Sequence, residues 1–293
     1  NARTESGETA LMKAVQSETN LRTVQILLEY GGEVNARNIQ GATSLMYAAR
    51  YNQDTNVIRT LLSHGAEVNA ETYTSELHRI LDSYVSNRHV SPLVDAARYN
   101  HNPEVVVALL EYGADVRLDR GNCMALDAAA RWNKNPEVTT ALLKHLGKAQ
   151  ENQEVAIDPL IIDSALFAAV ENPNPEVVAT LLSHGADAQT VLMKAARSSS
   201  NEEVISILLE HGAVSDETDS SGKTALMEAA RWNDNPAVLD VLLAHGADAS
   251  LRDSSRKTAF DYAQENDALK GTEIYWKLNE ARFDLDRLGA TTL

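Results

Sequence analysis

Residues 41–70 read GATSLMYAARYNQDTNVIRTLLSHGAEVNA, and this stretch spells out one folding unit. Thr43 is suited to cap a helix, its hydroxyl free to accept from an orphan backbone N–H. Leu45, Ala48 and Ala49 then fall on a single apolar stripe at helical spacing. A second helix carries Val57, Ile58, Leu61 and Leu62 on its buried face. It stops at Gly65, because the residue just past a helix usually takes a left-handed backbone that only glycine adopts cheaply. The extended piece Glu67-Val68-Asn69-Ala70 follows and leads into the next tight turn, which predicts a β-hairpin finger.

The same unit recurs. Taking the second alanine of each A-A pair, or its equivalent, as a marker gives Val15, Ala49, Ala97, Ala130, Ala169, Ala196 and Ala230, with steps of 34, 48, 33, 39, 27 and 34. Self-similarity near this period marks a stacked solenoid. Each unit buries its apolar face only against its neighbours, so the chain reads as one elongated domain, 1–293, of about seven repeats rather than as two globules. Later units announce the second helix with N-P-E-V, at 102–105, 135–138 and 174–177: Asn caps, and Pro suits a first turn where its missing N–H costs nothing.

The uneven steps locate departures from a plain stack. An insertion at 71–90 places Leu77, Ile80, Leu81 and Tyr84 at the spacing of an amphipathic helix, expected to fold back onto the fingers. A more polar insertion at 148–159 reads as a mobile loop. The step of 27 removes the finger of repeat six, with Ala188 leading almost directly into Thr190. From 251 to 293 the chain forms a degenerate eighth unit, T258-A-F-D-Y-A, and then a helix carrying Ile274, Tyr275, Leu278, Ala281 and Phe283. That helix is expected to cap the stack, leaving a monomer; the alternative is a docking surface for a second copy. Asn1 to Gly7 aligns with Asn35 to Gly41, so the chain is expected to start in mid-repeat and the natural precursor to extend further at the N-terminus.

Helix, turn, helix and hairpin with T-x-L…A-A and L-L-x-x-G-A-D-V-N-A resembles the ankyrin repeat, over Gly7 to Ala36, Gly41 to Ala70, Ser91 to Val116 and Gly222 to Ser250 and across nearly the whole chain. The resemblance implies an all-α repeat fold, an ankyrin-type solenoid of helix-turn-helix units with β-hairpin fingers. Three departures stand out. The inter-helix turn carries an extra residue, similar to bacterial members. Met12, Met46 and Met227 replace the family's histidine. In repeat four, Met124 stands where the capping Thr belongs and Leu146 where Gly should close the second helix.

What the resemblance implies for function is a non-enzymatic protein-binding scaffold that uses its hairpin tips and the concave surface of the first helices. The two positions after the A-A pair usually face that concavity, and here they read Arg50-Tyr51, Arg98-Tyr99, Arg131-Trp132, Val170-Glu171, Arg197-Ser198 and Arg231-Trp232. Arg, Tyr and Trp combine large desolvated area with directed hydrogen bonds at interface hot spots. One reading is therefore a contact strip over repeats two to four, with a second patch at Arg231 and Trp232. The other is that each aromatic covers the lengthened turn while the Arg stacks on it or pairs with a carboxylate. Both stand open, as do two further functional readings. One is a structural or targeting arm whose activity lies in a missing N-terminal portion. The other is a hydrolase using an acidic pocket under the 71–90 insertion.

A formal charge of −16 argues against a nucleic-acid backbone or an anionic membrane surface as partner. It fits a partner with a basic or mixed surface, and serves solubility equally. The sequence has no apolar run of roughly eighteen residues to span a bilayer, and the compartment stays open. The single Cys123 excludes an internal disulfide. His64, His145, His184, His211 and His245 sit at or near the ends of second helices, where a histidine meets the negative end of the helix dipole. One per repeat keeps them from converging on a metal, which needs ligands within about 2.3 Å of one ion. Asp115, Asp187 and Asp248 read as turn residues, and the 216–222 segment lacks the spaced ligands of a calcium loop. With no nucleophile elbow, P-loop, dinucleotide fingerprint or H-E-x-x-H, the sequence implies no enzyme, cofactor or metal.

Overall fold

The computed structural model describes residues 2–17, 21–73, 89–116, 123–151 and 157–289, with backbone alone at Tyr73, His89, 148–151 and 282–289. Two compact units divide at Ile161/Ile162. In the first, the leading helices of successive repeats are α1 (Ala10–Ala14), α3 (Ser44–Tyr51), α5 (Pro92–Tyr99) and α7 (Met124–Trp132). Their second helices are α2 (Leu21–Glu29), α4 (Thr55–Ser63), α6 (Pro103–Glu111) and α8 (Pro136–Glu151). Leading helices pack on leading helices and second on second, giving two parallel rows. The short strands β1 (Thr72–Tyr73) and β2 (His89–Val90) pair antiparallel at the two ends of the 71–90 insertion. The expected helix over 77–84, and any pocket beneath it, lie outside the described residues.

Helix α9 (Pro159–Ala169) crosses the division. The second unit continues with α10 (Glu176–Ser183), α11 (Gln189–Ser198), α12 (Glu202–Glu210), α13 (Ala225–Trp232), α14 (Pro236–Ala244), α15 (Ala259–Ala263) and α16 (Glu273–Gly289). Helix α11 starts directly after the turn at Ala188, so repeat six does lack a finger. Helix α16 packs on α14 and α15, burying Ile274 and Leu278 and setting Tyr275 5.0 Å from Phe260.

Local chemistry explains why the helices begin and end where they do. The hydroxyls of Thr9, Thr43, Ser91, Thr224 and Thr258 each accept from the N–H three residues on. Asn102, Asn135, Asn174, Asn201 and Asn235 accept from the N–H two residues on and so open the second helices. The L-L-x-x-G-A stretch closes them: Gly65, at φ +82°, donates to Leu62 O and Ala66 donates to Leu61 O, so two carbonyls that would face an empty helix end are satisfied. His64, His184, His211 and His245 cap through Nδ1, which lies 2.8–2.9 Å from the carbonyl four residues back. A carbonyl only accepts, so Nδ1 carries the proton in each. The fingers are built from tight turns rather than strand ladders. Asn38 N–H donates to Ala42 O, while Ile39 N–H reaches Ser6 O in the preceding finger.

Repeat four departs from expectation. Met124 is not the cap but the first helical residue. Cys123 takes the capping position and its side chain makes no capping bond. With Leu146 in place of a closing glycine, α8 runs on to Glu151. His145 therefore lies inside a helix rather than at its end, and the start of the 148–159 insertion is helical rather than loop.

The repeats are stitched by an interaction that the repeat pattern does not reveal. At or just past the ends of α3, α5, α7, α13 and α15 an Asn is buried, and its amide donates twice into the preceding repeat. Asn52 reaches Val15 O and Ser17 O, both at 3.0 Å; Asn100 reaches Ala49 O and Asn52 O at 2.9 Å; Asn133 reaches Ala97 O at 2.9 Å and Asn100 O at 2.8 Å. In the second unit Asn233 and Asn266 do the same. Each side-chain oxygen also accepts from the backbone N–H two residues on, fixing the lengthened turn.

Two outcomes follow. Asn133→Ala strands buried carbonyls in repeat three and should lower the unfolding free energy by about 3 kcal/mol; a urea titration that finds under about 0.5 kcal/mol rejects the bridging role. In hydrogen exchange, the first-turn amides of uncapped α7 should open faster than those of α3. Equal or slower exchange in α7 would show that the missing cap, worth about 1 kcal/mol, is replaced by something else.

Candidate functional site

The residue before Asn52, Asn100, Asn133 and Asn233 is aromatic, and the one before that is arginine. Because the Asn fixes the turn, the ring beside it is presented at a fixed place on the row of leading helices. In the first unit the Arg50 guanidinium lies 3.9 Å from the centroid of Tyr99, in the next repeat, and 5.4 Å from its own neighbour Tyr51. Arg98 repeats the pattern, 5.1 Å from Tyr99 and 4.9 Å from Trp132. Tyr99 thus has two guanidinium groups on its ring, one from each of two repeats. In the second unit Arg197 and Arg231 lie 5.0 and 4.7 Å from Trp232. Each such contact is worth about 0.5–1 kcal/mol at an exposed site.

The rings are not covered by this stacking. Tyr51 is 46% exposed, Tyr99 37%, Trp132 44% and Trp232 48%, while the arginines Arg50, Arg98, Arg131 and Arg231 are half-buried. The structure therefore brings Arg50, Tyr51, Arg98, Tyr99 and Trp132 into one continuous ladder in the first unit. Arg131 follows in the same row. Arg231 and Trp232 belong to the second unit, with Arg197 added.

Models of ankyrin repeats match the sequence over residues 1–72 and 166–253 in a three-copy form, and over 89–120 as a single repeat. The chain belongs to the ankyrin-repeat family. The search of curated proteins returns no match. Among solved structures, the human ASB11 ankyrin repeat domain is similar, with a TM-score of 0.61 and 26% identity, covering 81% of this chain and 98% of that one. Ankyrin repeats are generally protein–protein interaction modules, and the family is typically non-enzymatic. Among the described residues no helix is long and apolar enough to cross a membrane. Nor do three His, Cys, Asp or Glu side chains among them converge as metal ligands would.

One residue of this ankyrin-repeat chain was passed over in the sequence because acidic residues are abundant. Asp95, on α5, is 8% exposed. Burial pushes its carboxyl up to about 7 from the ordinary 3.8, against the opposing pull of Arg50 and Arg98. A hint was present in the sequence: in V-D-A-A-R an acid stands inside a leading helix, two residues before the marker alanine.

The carboxyl binds its proton more tightly in the folded chain than in the unfolded one. Its contribution to stability is therefore fully present below about pH 4 and is lost as pH rises through about 7. Asp95→Asn removes the buried charge. At about pH 8 it should raise the unfolding free energy by roughly 2–4 kcal/mol, with little gain at about pH 4. Urea titrations at the two pH values check this, and a destabilised variant at the higher pH would contradict it.

Proposed function

We propose that the chain is a non-enzymatic scaffold that holds a protein partner against the face of its leading helices and the adjoining fingers. The principal contact is the ladder Arg50, Tyr51, Arg98, Tyr99, Arg131 and Trp132, with Arg231 and Trp232 as a second patch. One observation carries this reading: rings that remain 37–48% exposed are held in place by guanidinium groups from their own and the preceding repeat. Large side chains fixed before binding lose little conformational entropy when a partner arrives, so more of their buried area appears as affinity. Arg, Tyr and Trp are also the types that dominate measured hot spots. The net charge of −16 favours a partner whose contact surface is basic or mixed.

Truncation separates contact from cover. Tyr99→Ala or Trp132→Ala should weaken partner binding by about 2 kcal/mol with only a small fall in melting temperature. If the rings serve only to cover the turn, the melting temperature falls and the folded fraction binds with unchanged affinity. That second result at both positions sinks the ladder as the contact surface.

A further inference from the structure

Four residues after each capping Thr or Ser, and at the corresponding place after Thr190 in repeat six, the leading helix presents a side chain on the same face as the ladder. Its polar members are Lys13, Tyr47 and Asp95 in the first unit and Lys194, Glu228 and Tyr262 in the second. Five of the six meet a partner within the protein. Lys13 pairs with Glu8 at 2.6 Å and Lys194 with Glu171 at 3.3 Å. Asn38 donates to the Tyr47 hydroxyl at 3.0 Å, and the Tyr262 hydroxyl donates to Asp253 at 2.5 Å. Glu228 pairs with Lys223 at 3.3 Å. The Asp95 carboxylate, among the described residues, has neither hydrogen bond nor ion pair within 4.0 Å; Arg50 and Arg98 act on it only from a greater distance.

The contrast with Glu228 is informative because the surroundings correspond. Arg197, from the preceding repeat, stands 4.0 Å from Glu228, and Arg231 follows it by one helical turn. Arg50 and Arg98 hold the corresponding places around Asp95. Repeat seven completes the arrangement with Lys223, one residue before its capping Thr224, whereas the residue one before the capping Ser91 is Val90. In the second unit an ammonium thus seats on a carboxylate at the corresponding position with two arginines nearby. Among the described residues, the first unit has the carboxylate without a lysine beside it.

We propose that Asp95 receives a lysine side chain of the protein partner, its ammonium taking beside Asp95 the place that Lys223 takes beside Glu228. This rests on the reading of the leading-helix face as the binding surface. A carboxylate buried without a partner is unfavourable, and an ammonium brought to it from outside gains attraction that is strong because the site is shielded from water. The raised affinity of Asp95 for its proton agrees, since the two arginines do not offset its burial. The chain's negative charge draws a lysine-bearing surface toward it.

A random peptide library selected on the full chain tests the assignment, with Asp95→Asn, Val90→Lys and Tyr99→Ala as comparisons. Peptides that bind the wild type and are lost on Tyr99→Ala should share a lysine. Replacing that lysine by Met should weaken binding about tenfold or more on the wild type and less than about twofold on Asp95→Asn. Val90→Lys supplies the ammonium from within and should behave like Asp95→Asn, which keeps the test intact if one variant misfolds. If the lysine matters equally on wild type and Asp95→Asn, or the peptides bind the ladder with no lysine requirement, the Asp95 assignment falls while the binding face stands. If no selected peptide responds to Tyr99→Ala, the binding face falls and the assignment with it.

Discussion

The bridging asparagine amide in the turn after a leading helix is the interaction on which the stack depends. A helix ends with carbonyls that have no internal partner, and stacking repeats removes water from them. Each amide donates to two such carbonyls in the preceding repeat and accepts one N–H in its own turn. The extra residue that lengthens the inter-helix turn would otherwise leave a loop with little to define it. A second Asn, two residues on, adds a bond from its amide to the preceding turn: Asn102 to Gln53 O at 2.8 Å, Asn135 to His101 O at 2.7 Å, Asn235 to Ser200 O at 3.0 Å. The turns are therefore a hydrogen-bonded edge running along each unit, and the aromatic ladder is fixed to it.

Repeat six shows what happens when this edge is interrupted. Ser199 stands where other repeats have Asn, and its hydroxyl bonds only within its own turn, to Asn201. The same repeat has no finger. A different contact is present in its place. Lys194 donates to Phe167 O at 2.6 Å, lies 3.6 Å from the Phe167 ring and pairs with Glu171 at 3.3 Å. One long side chain thus links repeats five and six through the leading helices, where elsewhere an amide links them through the turn. The ladder is broken at this point too, because Ser198 offers no ring.

What could be read from the sequence was local, and what could not was relational. As caps, Thr43, Asn102 and Gly65 bond to atoms within three residues of themselves, so their capping roles are visible in a short window. The reason Asn100 is buried is not: its amide partner Ala49 lies 51 residues away, across the insertion. Likewise the arginine-aromatic pairs are adjacent in sequence, but the closest contact is between Arg50 and Tyr99 of different repeats. Repeat four was misread in detail because a missing stop signal leaves open how far a helix continues, and α8 continues to Glu151. Asp95 escaped notice because its state depends on a lysine that is not there and on an arginine from the preceding repeat.

A solenoid can carry an unfavourable group where a globular core cannot, because its stability is a sum of local and nearest-neighbour terms. Asp95 sits in a repeat tied on both sides: Asn100 and Asn102 bind repeat three to repeat two, and Asn133 and Asn135 bind repeat four to repeat three. Each amide bond to a buried carbonyl contributes roughly 1 kcal/mol, so the asparagines flanking repeat three together match a carboxylate whose burial amounts to a few kcal/mol. The same asparagines hold Tyr99 and Trp132 in position. A repeat that carries both half-exposed rings and a buried carboxylate therefore gains from stiff turns on either side, and the asparagines at 100, 102, 133 and 135 supply them.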